Sequence, residues 1–248
     1  MENKQLPNEV SQLGSPLAEY HRSHVLLFSS LILLIGGLVM AFIIITGQAK
    51  DWDAWQIVVG LAIGVGGIGG GIFGIRKFIR ERGARILIFA EGLAEINDTQ
   101  TSIIRWDEIK NVTISRTSDF SIQSLFTPFA QTLEFTVELN NGTKRTFTQE
   151  IKDHKRLGET ILQETTKRLL PSAIESFKKG QTVTVGRLTV SQQGFVEGNK
   201  TIPWSEVKEI TIRGESAFLD GTTKVIPDTT PNYSVLLGLI DYAIKNRS

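Results

Sequence analysis

The chain has 248 residues, with 27 Lys and Arg against 26 Asp and Glu and a formal net charge of +1 at pH 7. That balance lacks the basic excess by which nucleic-acid binders neutralise phosphates, so no nucleic-acid partner is expected. With no cysteine there is no disulfide, thiol nucleophile or thiolate metal site, and His21, His24 and His154 stand in no metal-ligand spacing; the chain reads as a non-enzyme with no catalytic, metal or cofactor site.

Residues 1–24 are polar, carry Pro7 and Pro16, and are expected to form a disordered cytoplasmic tail. Residues 25–46 then contain no charge at all, and at about 1.5 Å per residue a helix of that length covers about 33 Å, enough to cross a bilayer core. A second uncharged run occupies residues 54–75 after a short polar connector, so the two are expected to form a transmembrane hairpin over residues 25–75. The first run is too long for the core of a signal peptide and follows Glu2, Glu9 and Glu19, which marks it as a retained anchor.

The second run is rich in glycine. Gly60 and Gly64, and Gly67 and Gly71, lie four apart, the small-xxx-small spacing that lets helix backbones approach closely in lipid. The pattern serves packing within one hairpin or homo-oligomerisation through the same face. Residues 64–69 also satisfy the GxGxxG dinucleotide fingerprint letter by letter, but they sit inside an apolar run and no alternating strand and helix series follows, which argues against a nucleotide site.

Residues 76–85 form a basic juxtamembrane segment with Arg76, Lys77, Arg80, Arg82 and Arg85, whereas the connector holds only Lys50 beside Asp51 and Asp53. Positive charge gathers on the cytoplasmic side. Both termini are therefore expected in the cytoplasm, in a multi-pass protein of the plasma membrane, and the five basic residues are candidate contacts for anionic lipid headgroups.

Residues 86–248 hold 19 basic against 20 acidic residues, so no strong electrostatic steering is expected. Their most informative feature is an internal match. Arg85-Ile-Leu-Ile-Phe-Ala-Glu-Gly92 lies over Arg187-Leu-Thr-Val-Ser-Gln-Gln-Gly194, and Trp106-Asp-Glu-Ile-Lys-Asn-Val-Thr-Ile114 over Trp204-Ser-Glu-Val-Lys-Glu-Ile-Thr-Ile212, the signature of a duplication. Each copy reads as short strands joined by tight turns. Asn140-Asn141-Gly142 marks a hairpin in the first copy. A helix follows, capped by Asp153, with Leu157, Ile161, Leu162, Leu169 and Leu170 as an apolar stripe that Pro171 interrupts. The second copy closes on a helix near Pro231 with Val235, Leu236, Leu239, Ile240 and Ala243 on its apolar side.

Trp106 and Trp204 recur at equivalent places and are expected to fill the core of each copy. Residues 117–130 have no counterpart in the second copy. They carry Phe120, Ile122, Leu125, Phe126 and Phe129 without a clean period, and are a candidate contact with a partner or the membrane, or a loop folded over the core.

The Gly92 and Gly194 turns, the two Trp segments and the two closing helices together resemble the bacterial pleckstrin-homology-like (PH-like) domains of membrane-anchored proteins, over residues 85–246. The resemblance implies an α+β fold in which the hairpin is followed by two tandem PH-like units, residues 86–180 and 181–248, each of short antiparallel strands and a closing helix. It further implies a non-enzymatic, membrane-anchored binding or scaffold module that presents a cytoplasmic tandem domain to a lipid or, more readily, a cytosolic protein. One departure concerns the first hairpin loop, Glu95-Ile-Asn-Asp-Thr-Gln-Thr-Ser102, which is acidic and polar where lipid-binding members of the PH fold carry basic residues. The alternative function is a structural or pore-related membrane subunit assembled through the glycine-rich helices.

Overall fold

A computed structural model describes residues 10, 12–80, 83–97, 100–117, 132–197, 200–213, 216–220 and 225–246. Its two long apolar helices are α1, Val25–Ile45, and α2, Ala54–Arg80, and both are long and apolar enough to cross a membrane. They pack antiparallel along a seam without bulky side chains. A Cβ on Gly37 would lie 2.6 Å from the Ile68 amide nitrogen, and one on Gly67 would lie 2.9 Å from the Leu33 carbonyl oxygen. Away from the seam the apolar side chains point outward; Ile45 is 82% and Val65 71% exposed. A continuous apolar surface of this kind is covered by lipid or protein in any stable state. The second helix runs beyond the expected limit of residue 75 to Arg80, so Arg76, Lys77 and Arg80 extend the helix itself.

The strands fall into two series of seven. In the first, β1 (Ala18–His21), β2 (Arg85–Phe89), β3 (Gly92–Ile96) and β4 (Thr101–Arg105) form one antiparallel sheet in that order. A 3-10 turn at Trp106–Glu108 leads to the second sheet, β5 (Ile109–Thr117), β6 (Thr132–Leu139) and β7 (Lys144–Phe147), and helix α3 (His154–Lys178) closes the series. The second series repeats this order. β8 (Val183–Val185), β9 (Leu188–Val190), β10 (Gly194–Glu197) and β11 (Lys200–Pro203) form a four-stranded sheet, followed by a 3-10 turn at Trp204–Glu206, the three-stranded sheet β12 (Ile210–Arg213), β13 (Ser216–Leu219) and β14 (Val225–Pro227), and helix α4 (Tyr233–Lys245).

The expected disordered tail over residues 1–24 is corrected in its second half. Ala18–His21 are β1, the edge strand, paired with β2 from Ala18 against Ile88 to His21 against Arg85. Tyr20 enters the core beside Ile86 and Ile88 because alternate residues of a strand share one face. The whole hairpin is therefore an insertion between two neighbouring strands of one sheet, and its two ends must return to the same place. Further upstream, Val10 and Leu13 are buried on the outer face of this sheet against Leu87, Phe89 and Ala94.

The expected break at Pro171 also fails. Helix α3 runs through it for 25 residues, since a proline removes only one helical hydrogen bond and here both flanks are packed. Its first half supplies Leu157 and Ile161 to the first core, while Leu170, Ala173, Ile174 and Phe177 pack into the second. The same helix thus belongs to both series, with no flexible linker between them. Within the second core, Val235, Leu236, Leu239, Ile240 and Ala243 of α4 are buried together with Trp204.

Candidate functional site

The two tryptophans occupy matching positions. The Trp106 indole N–H donates to the Phe89 carbonyl at 3.2 Å, and the Trp204 indole N–H to the Ser191 carbonyl at 2.9 Å, each three residues before the glycine of its series. Gly92 and Gly194 are needed for contact rather than for a turn. A Cβ at either would fall on a carbonyl oxygen across the sheet, that of Ile104 or of Ile202. Over Trp106 lies the Arg168 guanidinium, 5.8 Å from the ring centroid and donating to the Ala90 carbonyl at 2.8 Å. The surroundings of Trp204 are more open, beside a cleft of about 770 Å³ whose walls include Phe177, Gln192, Gln193 and Asn246. Neither tryptophan is placed to act as an exposed ligand anchor, since both are buried.

The two series lock together along β5. Asn232, held at φ +48° just before α4, receives the Val112 amide on its side-chain oxygen at 2.9 Å, and its own amide donates to the Val112 carbonyl at 2.8 Å. Its side-chain nitrogen donates to the Lys110 carbonyl at 2.9 Å. Four residues along the strand, Arg116 grips Asp228 with two parallel hydrogen bonds of 2.6 and 2.5 Å, a bidentate pair largely shielded from water. Nothing in the sequence marked this contact, because neither residue belongs to the internal match.

A third cluster joins the hairpin to the sheets. Glu150, just before α3, accepts from Arg22 at 2.8 Å and from Lys77 of α2 at 3.2 Å. Arg85 donates to Glu19 at 3.1 Å across the β1–β2 pair. Backbone bonds reinforce the join, from the Ser23 amide to the Glu150 carbonyl at 2.7 Å and from the Lys152 amide to the His21 carbonyl at 2.8 Å. Next to it, Tyr20, Arg22, Arg85, Glu95, Thr148 and Glu150 are among the residues that line a cavity of about 260 Å³. Burial pushes the Glu95 carboxyl above its usual range, and the positive charge of Arg145 offsets this only in part.

The structure divides the five basic residues. Lys77 and Arg85 are drawn into ion pairs with Glu150 and Glu19, Arg76 and Arg80 are exposed on α2, and Arg82 lies outside the described residues. Gly60, Gly64, Gly67 and Gly71 all lie on the side of α2 that faces α1, and are buried there. Phe120, Ile122, Leu125, Phe126 and Phe129 lie outside the described residues. The ion pairs at the hairpin base and the contacts of Asn232 escaped the sequence reading, since their partners stand far apart in the chain and follow no periodic pattern.

Compared with known proteins, residues 1–247 match the family of unknown function (DUF6585). No curated protein and no solved structure matches the chain.

Proposed function

The chain belongs to that family, and from this premise we propose that it is a non-enzymatic, membrane-anchored binding module whose two PH-like units stand at the cytoplasmic face of the plasma membrane. The carrying observation is the repeated element order, four strands, a tryptophan-led turn, three strands and a helix, with the apolar hairpin inserted between the first two strands of the first series. A binding module needs a rigid platform held at a fixed distance from its anchor. Helix α3, shared by both cores, supports the first requirement, and the Lys77–Glu150–Arg22 cluster supports the second. The partner in this reading is a cytosolic protein or the lipid surface itself, met by exposed sheet edges or by the apolar segment around Phe120 and Phe129.

The test is accessibility of single cysteines, placed at Asp51 and at Asn141 in a chain that has none of its own. Asp51→Cys is expected to react with an impermeant reagent from outside the cell, and Asn141→Cys only after permeabilisation. Reaction of Asn141→Cys from outside removes the cytoplasmic assignment.

A second reading, a structural or pore-related subunit that oligomerises in the membrane, draws support from Gly66 and Gly69, which face away from α1 with no atom within 4 Å of an added Cβ. The glycines of the inner seam are already occupied within one hairpin, so assembly of several chains would use this outer side. Crosslinking in native membranes separates the readings; a hairpin that stays monomeric removes the second.

A further inference from the structure

The cleft beside Trp204 is the counterpart of a site that the first series fills for itself. Helices α3 and α4 start alike, after Asp153 and Asn232, both in the left-handed region at φ +58° and +48°. Their first turns close the same bond, from the Leu157 amide to the Asp153 carbonyl and from the Leu236 amide to the Asn232 carbonyl. Leu157 and Ile161 thus fall on Leu236 and Ile240, and all four are fully buried. Counted on in this register, Glu164 falls on Ala243, Lys167 on Asn246, and Arg168 on Arg247, the residue after the last described one.

In the first series these helix residues form a closed set over Trp106. The Arg168 guanidinium lies on the indole and donates to the Ala90 carbonyl. The Glu164 carboxylate accepts from Arg168 at 2.8 Å and from Lys167 at 2.6 Å. In the second series Trp204 stands for Trp106, Gln192 for Ala90 and Ser205 for Asp107. All three line the cleft of about 770 Å³, together with Gln193, Ala243 and Asn246. One chemical group has no counterpart: where Glu164 extends a carboxylate, Ala243 ends at its Cβ.

We propose that this cleft binds an acidic side chain of a partner protein, held by Arg247 over Trp204 in the way that Arg168 over Trp106 holds Glu164. An Asp or Glu from outside then supplies the carboxylate that Ala243 lacks. A guanidinium takes a carboxylate through charge-assisted N–H bonds. Gln193 and Ser205 are exposed at the rim, where an amide and a hydroxyl add donors for the same oxygens. The cleft's volume falls within the range of about 300–1,000 Å³ usual for ligand pockets. The template in the first series is a glutamate side chain, which favours an acidic protein segment over a free anion. The assignment rests on the binding-module reading and gives it a partner class.

The experiment labels the full chain in detergent micelles with 5-fluorotryptophan, which gives a fluorine signal for each of its four tryptophans; Trp106→Phe and Trp204→Phe assign two of them. The probe is the capped peptide acetyl-Gly-Glu-Gly-amide, with its glutamine analogue as control. The expected result is a saturable shift of the Trp204 signal with the glutamate peptide alone, while the Trp106 signal stays, its site being filled by Glu164. Arg247→Ala should weaken binding about tenfold, and Arg247→Lys should restore part of it. Glu164→Ala should open the first site, so that the Trp106 signal responds as well. A Trp204 signal that ignores the glutamate peptide, follows both peptides equally, or responds undiminished in Arg247→Ala overturns the assignment. So does tighter binding of inorganic phosphate, which would make this a phosphate site. Micelles have no sidedness, so this result is read apart from the cysteine test: peptide binding together with Asn141→Cys reactive from outside keeps the site and moves the partner across the membrane.

Discussion

The outer faces of the two four-stranded sheets differ sharply although their inner faces follow one plan. In the first, Leu87, Phe89 and Ala94 point outward and are buried under Val10 and Leu13. At the matching positions of the second stand Thr189, Ser191 and Val196, and Thr189 meets Thr184 at 3.1 Å between hydroxyls in an exposed pair. A sheet that is apolar on both faces needs cover on both, while one that is polar outside is complete by itself. The comparison teaches that the inner pattern carries the fold and the outer one records what each sheet must lie against.

The strongest way to break this comparison is to attack the inner plan in both series. Trp106→Ala and Trp204→Ala are each expected to cost about 3–5 kcal/mol in denaturant unfolding of the full chain in detergent; a loss confined to one of them would mean that the two inner cores are not built alike. The outer difference is tested next. Leu13→Asp should cost about 2–3 kcal/mol by placing a charge against Leu87 and Phe89, whereas Thr189→Asp should change stability by no more than about 0.5 kcal/mol.

A smaller effect concerns the lock between the series. Asn232→Ala leaves the Val112 amide without its side-chain acceptor and is expected to cost about 1–2 kcal/mol, with faster hydrogen exchange at Val112 while the interior of β6 keeps its protection. The smallest effect is a difference in slope with pH. The Glu95 carboxyl is raised by burial above its ordinary value of 4.5, so its contribution is fully present below pH 4.5 and is lost as pH rises through the folded value. Burial also pushes Glu164 upward, but hydrogen bonds from Lys167 and Arg168 outweigh it and hold that carboxyl below 4.5. Its contribution is present above pH 4.5 and is lost as pH falls through the folded value. Glu95→Gln and Glu164→Gln should therefore change the stability profile in opposite senses; parallel changes would show that the two sites do not differ as described.

Much of the fold was legible wherever a period or a long apolar run carried it. The two apolar helices, the antiparallel strands and the buried side of α4 follow from hydropathy and spacing over many residues. Strand β1 was not legible. It has four residues, begins two after Pro16, and its partner β2 lies beyond more than 50 residues of hairpin, so no local pattern could announce the pairing. Pro171 misled because a helix packed on both flanks tolerates what an exposed one does not. Gly92 and Gly194 were visible as a pair, but their reason was not. The close carbonyls of Ile104 and Ile202 belong to neighbouring strands, and sequence does not display distance. At the hairpin base the basic run was evident, yet Glu19 and Glu150, which take up Arg85 and Lys77, stand more than 60 residues away from them in the chain, and no periodic pattern links such pairs.

The insertion of the hairpin between β1 and β2 bears on how the protein is made. Translation delivers β1 first, yet it has nothing to pair with until both helices and β2 have been synthesised. In a chain threaded into a bilayer, a single crossing would strand β1 on one side and β2 on the other, and the first sheet would lack its edge. Only an even number of crossings brings the two strands together. If the hairpin crosses a bilayer, completion of that sheet requires both crossings, and a mis-threaded chain would carry an unpaired edge strand.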